Sequence, residues 1–125
     1  MRHVMVYNLD NPRLEPVRAR YCASYACRLR GLTFRRTLPL NQGLLLVQDR
    51  ENRLDAAIHM LGVWMDLAVV WMNASQVVVD VRLARRWRPV YLPVQPARYV
   101  LEMAAEHQAD FKIGDRIKFE ETELG

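Results

Sequence analysis

The stretch Ile58 to Asn73, IHMLGVWMDLAVVWMN, is almost unbroken apolar sequence, with His59 near its start and Asp66 in its middle. The segment is about 15 residues long where a spanning helix needs roughly 20, which excludes a transmembrane helix. Val63, Val69, Val70, Trp64 and Trp71 are strand formers, and Gly62 weakens a helical reading. The composition predicts two strands, Ile58 to Val63 and Leu67 to Met72. The second is followed by a turn over Asn73 to Ser75 and a hairpin partner in QVVVDVRL, where Val77, Val79, Val81 and Leu83 are expected to share one face.

The rest of the chain punctuates itself in short pieces. His3 to Asn8 reads as a first strand closed by Asp10-Asn11-Pro12, and Val17, Ala19 and Tyr21 alternate with Arg18 and Arg20 as a second. Ser24 is placed to cap a two-turn helix over Tyr25 to Arg30, with Gly31 to end it. A compact strand is predicted over Leu44 to Gln48 and a proline-bracketed edge strand over Trp87 to Leu92. ARYVLEM reads as a further strand and Ala104 to Asp110 as a short helix. A closing strand turns at Gly114-Asp115, with Ile117 and Phe119 facing inward.

So many short strands cannot form a parallel sheet without crossover helices. The predicted class is therefore mainly β (α+β): a small antiparallel barrel-like or strongly curved sheet, with two short helices covering its ends. A chain of 125 residues fits one domain spanning residues 1–125.

Of the 18 basic residues only Lys112 and Lys118 are lysines, so arginine dominates the charge. A net charge of +4 raises a nucleic-acid partner, since phosphate neutralisation supplies most non-specific affinity, but no recognition motif accompanies it and a solvated arginine-rich face is the preferred reading. Cys22 and Cys27 are too few for a disulfide framework and lack the paired spacing of a structural zinc site, so both read as reduced thiols. The opening MRHVMVYNLDNP holds no apolar segment of signal-peptide length, and a cytoplasmic location is expected.

Catalytic motifs are absent: no glycine-rich phosphate loop, no H-E-x-x-H and no G-x-S-x-G. The chain gives no reason to expect a cofactor or a bound metal, and no residue is assigned as catalytic. What remains is a set of isolated polar residues.

His59 can transfer protons or donate to a ligand, or its ring can simply rest on a backbone carbonyl at the sheet rim. Cys27 with His59 would make a nucleophile and base only if the fold brought them together. Asp66 needs an arginine or backbone N–H groups, and Asp80 is expected to face solvent or pair across a strand with an arginine. RLARRWRPVYLP interleaves arginine with Trp87 and Tyr91, which suits either stacking on bases or an edge strand guarded by charge and proline.

Taken in order, CRLRGLTFR, GLLLV, IHMLGVWMDLAVVWMN, PARYVLEM and IGDRIKF resemble the domain of unknown function family 192, over roughly Val17 to Phe119. The resemblance rests chiefly on Arg30-Gly31-Leu32 with Phe34-Arg35, on Ile58-His59, and on Pro96 to Glu102. It implies a compact, mainly β domain, often made with a secretion signal, and no established reaction. The family's usual Pro-Ile-Asp is replaced here by Asp66-Leu67-Ala68, so the customary strand carboxylate is missing.

Together these readings point to a non-enzymatic module that binds a small ligand or a protein through His59, Arg98, Trp87, Arg30 and Arg35. An enzyme of hydrolase or isomerase type would pair His59 with a carboxylate such as Asp66 or Glu102. A nucleic-acid binder would use residues 82–91.

Overall fold

A computed structural model describes residues 2–32 and 36–122. Its strands are β1 (His3–Asn8), β2 (Val17–Cys22), β3 (Gln42–Asn52), β4 (Leu67–Met72), β5 (Val78–Ala84), β6 (Ala97–Ala104) and β7 (Ile117–Glu121). One α-helix, α1 (Tyr25–Arg30), and one 3₁₀ helix (Ala105–Asp110) complete the elements. The seven strands form one sheet in the order β5-β4-β6-β3-β2-β1-β7.

The sheet is mixed, because β2 and β3 run parallel while every other pair is antiparallel. The β2–β3 connection carries α1, and a parallel pair requires such a crossover. The sheet is curved but not closed. Its edge strands approach at one end, where Val77 and Arg116 form a single bridge, Ile117 N donates to Gln76 O, and Val78 N donates to Asp115 O.

Each face carries its own core. The inner face gathers Val4, Val6, Val17, Leu45, Val70, Leu101 and Met103, with Phe111 and Ile117 closing one end. The outer face gathers Cys22, Leu44, Leu46, Val69, Trp71 and Val100 beneath Leu32, Ile58, Met60 and Val63 from the loops. A strand with both faces covered cannot show period-two alternation, which is why β4 reads as a continuous apolar run and is buried throughout.

The long apolar tract is therefore only half strand. Leu67–Met72 is β4, as composition predicted. Residues 58–63, expected as a strand of their own, contribute one isolated bridge, Ile58 with Tyr91, followed by a turn. Met60 O accepts from both Val63 N and Trp87 N, and Met60 N donates to Arg88 O, so this segment hydrogen-bonds to a loop and cannot continue a ladder.

The edge strand expected over Trp87 to Leu92 is likewise reduced to that bridge, and Trp87 takes a positive φ of 67°. A register irregularity between Trp71 and Met72 opposite Asp80 and Val78 sends Val79 to the outer core and Val81 toward the inner one, splitting the shared face expected for them.

The two cysteines are not reduced thiols: Cys22 and Cys27 form a disulfide, with their Cα atoms 5.6 Å apart. Sequence spacing cannot show that the end of β2 and the first turn of α1 face one another. Among the described residues no helix is long and apolar enough to cross a membrane.

Candidate functional site

Glu102 lies at the centre of the sheet. Its strand, β6, is flanked by β3 and β4, and Glu102 is the register partner of Leu44 on one side and Val69 on the other. Alternation along β6 puts it on the outer face with Val100, where it is 4% exposed. No hydrogen-bond partner meets its Oε1, and burial pushes its pKa up to about 7. An ionised carboxylate left in apolar surroundings without a partner is costly, so the group is held partly protonated near neutral pH.

The α1 helix roofs this carboxylate. Ser24 caps it, the side-chain oxygen accepting from Cys27 N at 3.2 Å. Gly31 ends it with φ of 52° while donating to Cys27 O. None of the helix residues is fully buried, so packing does little to hold it.

The anchors are instead covalent and polar. The disulfide ties α1 to β2. Arg28 Nη1 donates to Val47 O at 3.1 Å, and His59 Nε2 lies 3.1 Å from Leu29 O. Because a carbonyl only accepts, the imidazole carries its proton on Nε2, and its buried Nδ1 is left without a partner.

Between roof and sheet lies a cavity of about 520 Å³, within the range typical of small-molecule sites. Leu46, Gln48 and Glu102 line its sheet side, and Ala57, Ile58, His59 and Val63 form a wall. Leu29, Arg30, Gly31 and Leu32 come from the helix and its end, and Arg28, Arg50, Asp49 and Asp55 add charge to the lining. A Cβ placed on Gly31 would lie 3.7 Å from Glu102 Oε1, so the backbone at Gly31 passes directly over the acid.

Of the residues singled out from sequence, His59 and Arg30 line this cavity together. Arg35 lies outside the described residues. Arg98 is not part of the lining but abuts it: its Nε donates to Gln48 O at 3.2 Å and its guanidinium stacks over Tyr99. Trp87 stands elsewhere, edge-on to Trp64 with ring centroids 5.2 Å apart, and Arg36 lies over Trp64.

The Cys27–His59 pairing is overturned, since Cys27 has no free thiol. Asp66 found the arginine it needed, accepting from Arg86 N and Nε, which hold its carboxyl below the usual range. Asp80 does not face solvent. It is buried, paired at 3.1 Å with Arg82 of its own strand and not across a strand, and accepts from Val94 N.

Glu102 was legible only as one carboxylate among several. The signal for it is a single acid inside the apolar run YVLEMA, a position where an ordinary solvent-facing residue has no place once both faces of the strand are covered.

Comparison with known proteins agrees with the architecture. The DUF192 family model, described as an uncharacterised ACR, matches residues 6–119. A UPF0127 protein of Thermococcus gammatolerans is 35% identical over 121 residues, covering 95% of this chain and 77% of that protein. A UPF0127 protein of Thermococcus sibiricus is 31% identical over the same shares of the two chains.

Two solved structures share the fold. A protein of unknown function from Novosphingobium aromaticivorans has a TM-score of 0.77 at 17% identity, over 93% of this chain and 83% of that one. A Sinorhizobium meliloti protein described as a candidate transcription regulator has a TM-score of 0.79 at 16% identity, over 94% and 92%.

Proposed function

This chain belongs to the DUF192 family, and for it we propose the role of a small-ligand-binding domain whose ligand enters the cavity between α1 and the sheet. The observation that carries this reading is the buried Glu102, with Oε1 unpartnered, in the lining of a cavity large enough for a small molecule. A ligand of matching size buries an apolar body against Leu32, Leu46, Ile58 and Val63, and gives Glu102 the hydrogen bond it lacks. Arginines and carboxylates in the lining leave room for a polar end.

A ligand-observed NMR screen of small fragments tests this. Fragments that bind the wild-type chain are expected to be lost in Ala57→Phe, which fills the cavity, and weakened in Glu102→Gln. Wild-type protein that binds no fragment, or fragments indifferent to Ala57→Phe, would remove the reading.

One observation favours a second reading. Glu102, with a pKa of about 7, shares the cavity with His59, and a carboxyl poised near the working pH beside an imidazole is the equipment of a proton-transfer enzyme. That reading expects a bound fragment to exchange a carbon-bound proton with D2O. The exchange should be lost in Glu102→Gln while binding persists.

The disulfide bears on location. Bonds of this kind persist mainly in oxidising compartments, which weighs against the cytoplasmic location expected from the N-terminus. Thiol titration of protein trapped in the cell distinguishes the two.

A further inference from the structure

Residues 60–66 enter β4 and residues 85–91 leave β5 at the open end of their hairpin, where Leu67 pairs with Ala84. Three hydrogen bonds join the two segments: Trp87 N donates to Met60 O, Met60 N to Arg88 O, and Arg86 N to the Asp66 carboxylate.

The joined segments present large apolar side chains to water. Trp64 and Trp87, in edge contact with each other, are 42% and 47% exposed, and Leu61 and Val90 are more exposed still. A group of such residues marks an interaction surface, whereas single ones do not. Trp87 sits at φ of 67° in a turn closed by Arg88 N donating to Arg85 O. Gly or Asn takes that conformation readily and a bulky side chain does not, so the turn carries strain while presenting an indole outward.

The patch is also basic. Its two segments hold Arg85, Arg86 and Arg88 against one carboxylate, Asp66, and Arg36 adds a guanidinium over the Trp64 ring. Asp66 is paired with Arg86 and feels the charge of Arg85, so the patch stays positive after that pairing is counted.

We propose that this patch docks the domain on the surface of an anionic lipid bilayer. The indoles, Leu61 and Val90 enter the headgroup layer, where an apolar body with a polar N–H is at home, and the arginines meet lipid phosphates. Docking needs no ligand beside Glu102.

Single-stranded nucleic acid is the other polyanion of matching chemistry, and two observations favour lipid over it. Trp87 and Trp64 meet edge to face, which covers one indole face, and Arg36 covers another, leaving a poor platform for a run of stacked bases. The Cys22–Cys27 disulfide suits an oxidising compartment, where membrane is the abundant anionic surface.

The test is flotation of the full chain with vesicles of phosphatidylcholine alone and of equimolar phosphatidylcholine and phosphatidylglycerol. Flotation is expected with the anionic vesicles, to be weakened by salt, and little of it with phosphatidylcholine alone. Brominated lipid should quench the tryptophan emission of the unmutated chain. Trp71 is fully buried, so the quenching reports Trp64 and Trp87.

Trp87→Asn, with a residue that tolerates positive φ, and Trp64→Gln should each weaken binding about tenfold. Arg85→Gln combined with Arg88→Gln should weaken it roughly thirtyfold. Lys112→Gln removes an exposed cation near the opposite end of β5, where Gly114 N donates to Val78 O, and should leave it unchanged.

No flotation with anionic vesicles, no quenching, or binding indifferent to both the tryptophan and the arginine variants would overturn the proposal. A single-stranded oligonucleotide bound where vesicles are not would assign the patch to nucleic acid instead.

Discussion

Arg20 and Glu102 are both register partners of Leu44, one on each side, so a cation and a buried acid stand in a single row across the sheet. Adjacent strands are about 4.8 Å apart, which separates their backbones by about 10 Å. The row continues to Val69 beyond Glu102 and to His3 beyond Arg20. That arrangement makes several consequences measurable.

The first concerns pH. Glu102 has a folded pKa of about 7, raised by burial above its ordinary value of 4.5. Between those values the folded state holds a proton that the unfolded state has released, so stability falls as pH rises through that window and the full penalty is present above it. The difference corresponds to something on the order of 3 kcal/mol. Glu102→Gln keeps the shape and removes the titration. Urea unfolding at pH 5 and pH 8 should show the wild type losing stability between the two and the variant losing much less, and parallel losses would mean that Glu102 does not titrate in this window.

The disulfide makes a second prediction. It closes a short loop, the cysteines being five apart in sequence, and the chain-entropy model assigns such a loop about 2 kcal/mol. Because α1 has no fully buried residue, loss of the bond should act first on the helix and its cavity. Cys27→Ser is expected to lower stability by about that amount, and hydrogen exchange should show faster exchange over residues 24–31 than over β4 or β6. Uniform acceleration across the chain would contradict the local role.

How much of this could be read from the chain alone depended on whether a residue's role is set locally. Ser24 and Gly31 were legible because caps and helix ends are decided within a few residues. Leu67–Met72 was legible from strand formers. The segment around Ile58 was not, because its apolar residues cover an outer face of the sheet from a loop, and apolar content alone does not separate a cover from a strand. The Cys22–Cys27 bond and the convergence of Glu102, His59 and Arg30 depend on register and crossover, neither of which leaves a mark in local sequence. His59 and Arg30, both singled out from sequence, line the cavity together, whereas Trp87 was drawn in by composition and lies with Trp64.

Trp71 joins the sheet to the cavity wall. Its indole Nε1 donates to Ala56 O at 2.8 Å, and the side chain is fully buried. Trp71→Phe leaves that carbonyl without its donor and opens a void, at a combined cost of about 2–4 kcal/mol. Ala57 and Ile58 follow directly in the wall, so the variant should also weaken any fragment bound beside Glu102. Thermal unfolding reads the first effect and ligand-observed NMR the second. A shift in stability of less than about 1 kcal/mol would show that the hydrogen bond is easily replaced by water.

Two glycines beside Glu102 should respond to alanine for different reasons. At Gly31, φ of 52° is a conformation that L residues rarely adopt, while a Cβ would rest 3.7 Å from Glu102 Oε1, an ordinary contact. Gly31→Ala therefore carries backbone strain of about 1–2 kcal/mol and leaves the sheet undisturbed. At Gly43 a Cβ would lie 2.9 Å from the backbone oxygen of Glu102, with Met103 Cγ and Val17 Cγ1 each at 3.3 Å. That oxygen belongs to the central strand and has no rotamer to escape into, so β3 and β6 must move apart. Gly43→Ala should cost about 1–3 kcal/mol, as overpacking does. Amide shift changes should spread along β6 to Glu102 in Gly43→Ala and stay near residues 30–32 in Gly31→Ala. If the two patterns coincide, the close approach of β3 to β6 is not what makes Gly43 necessary.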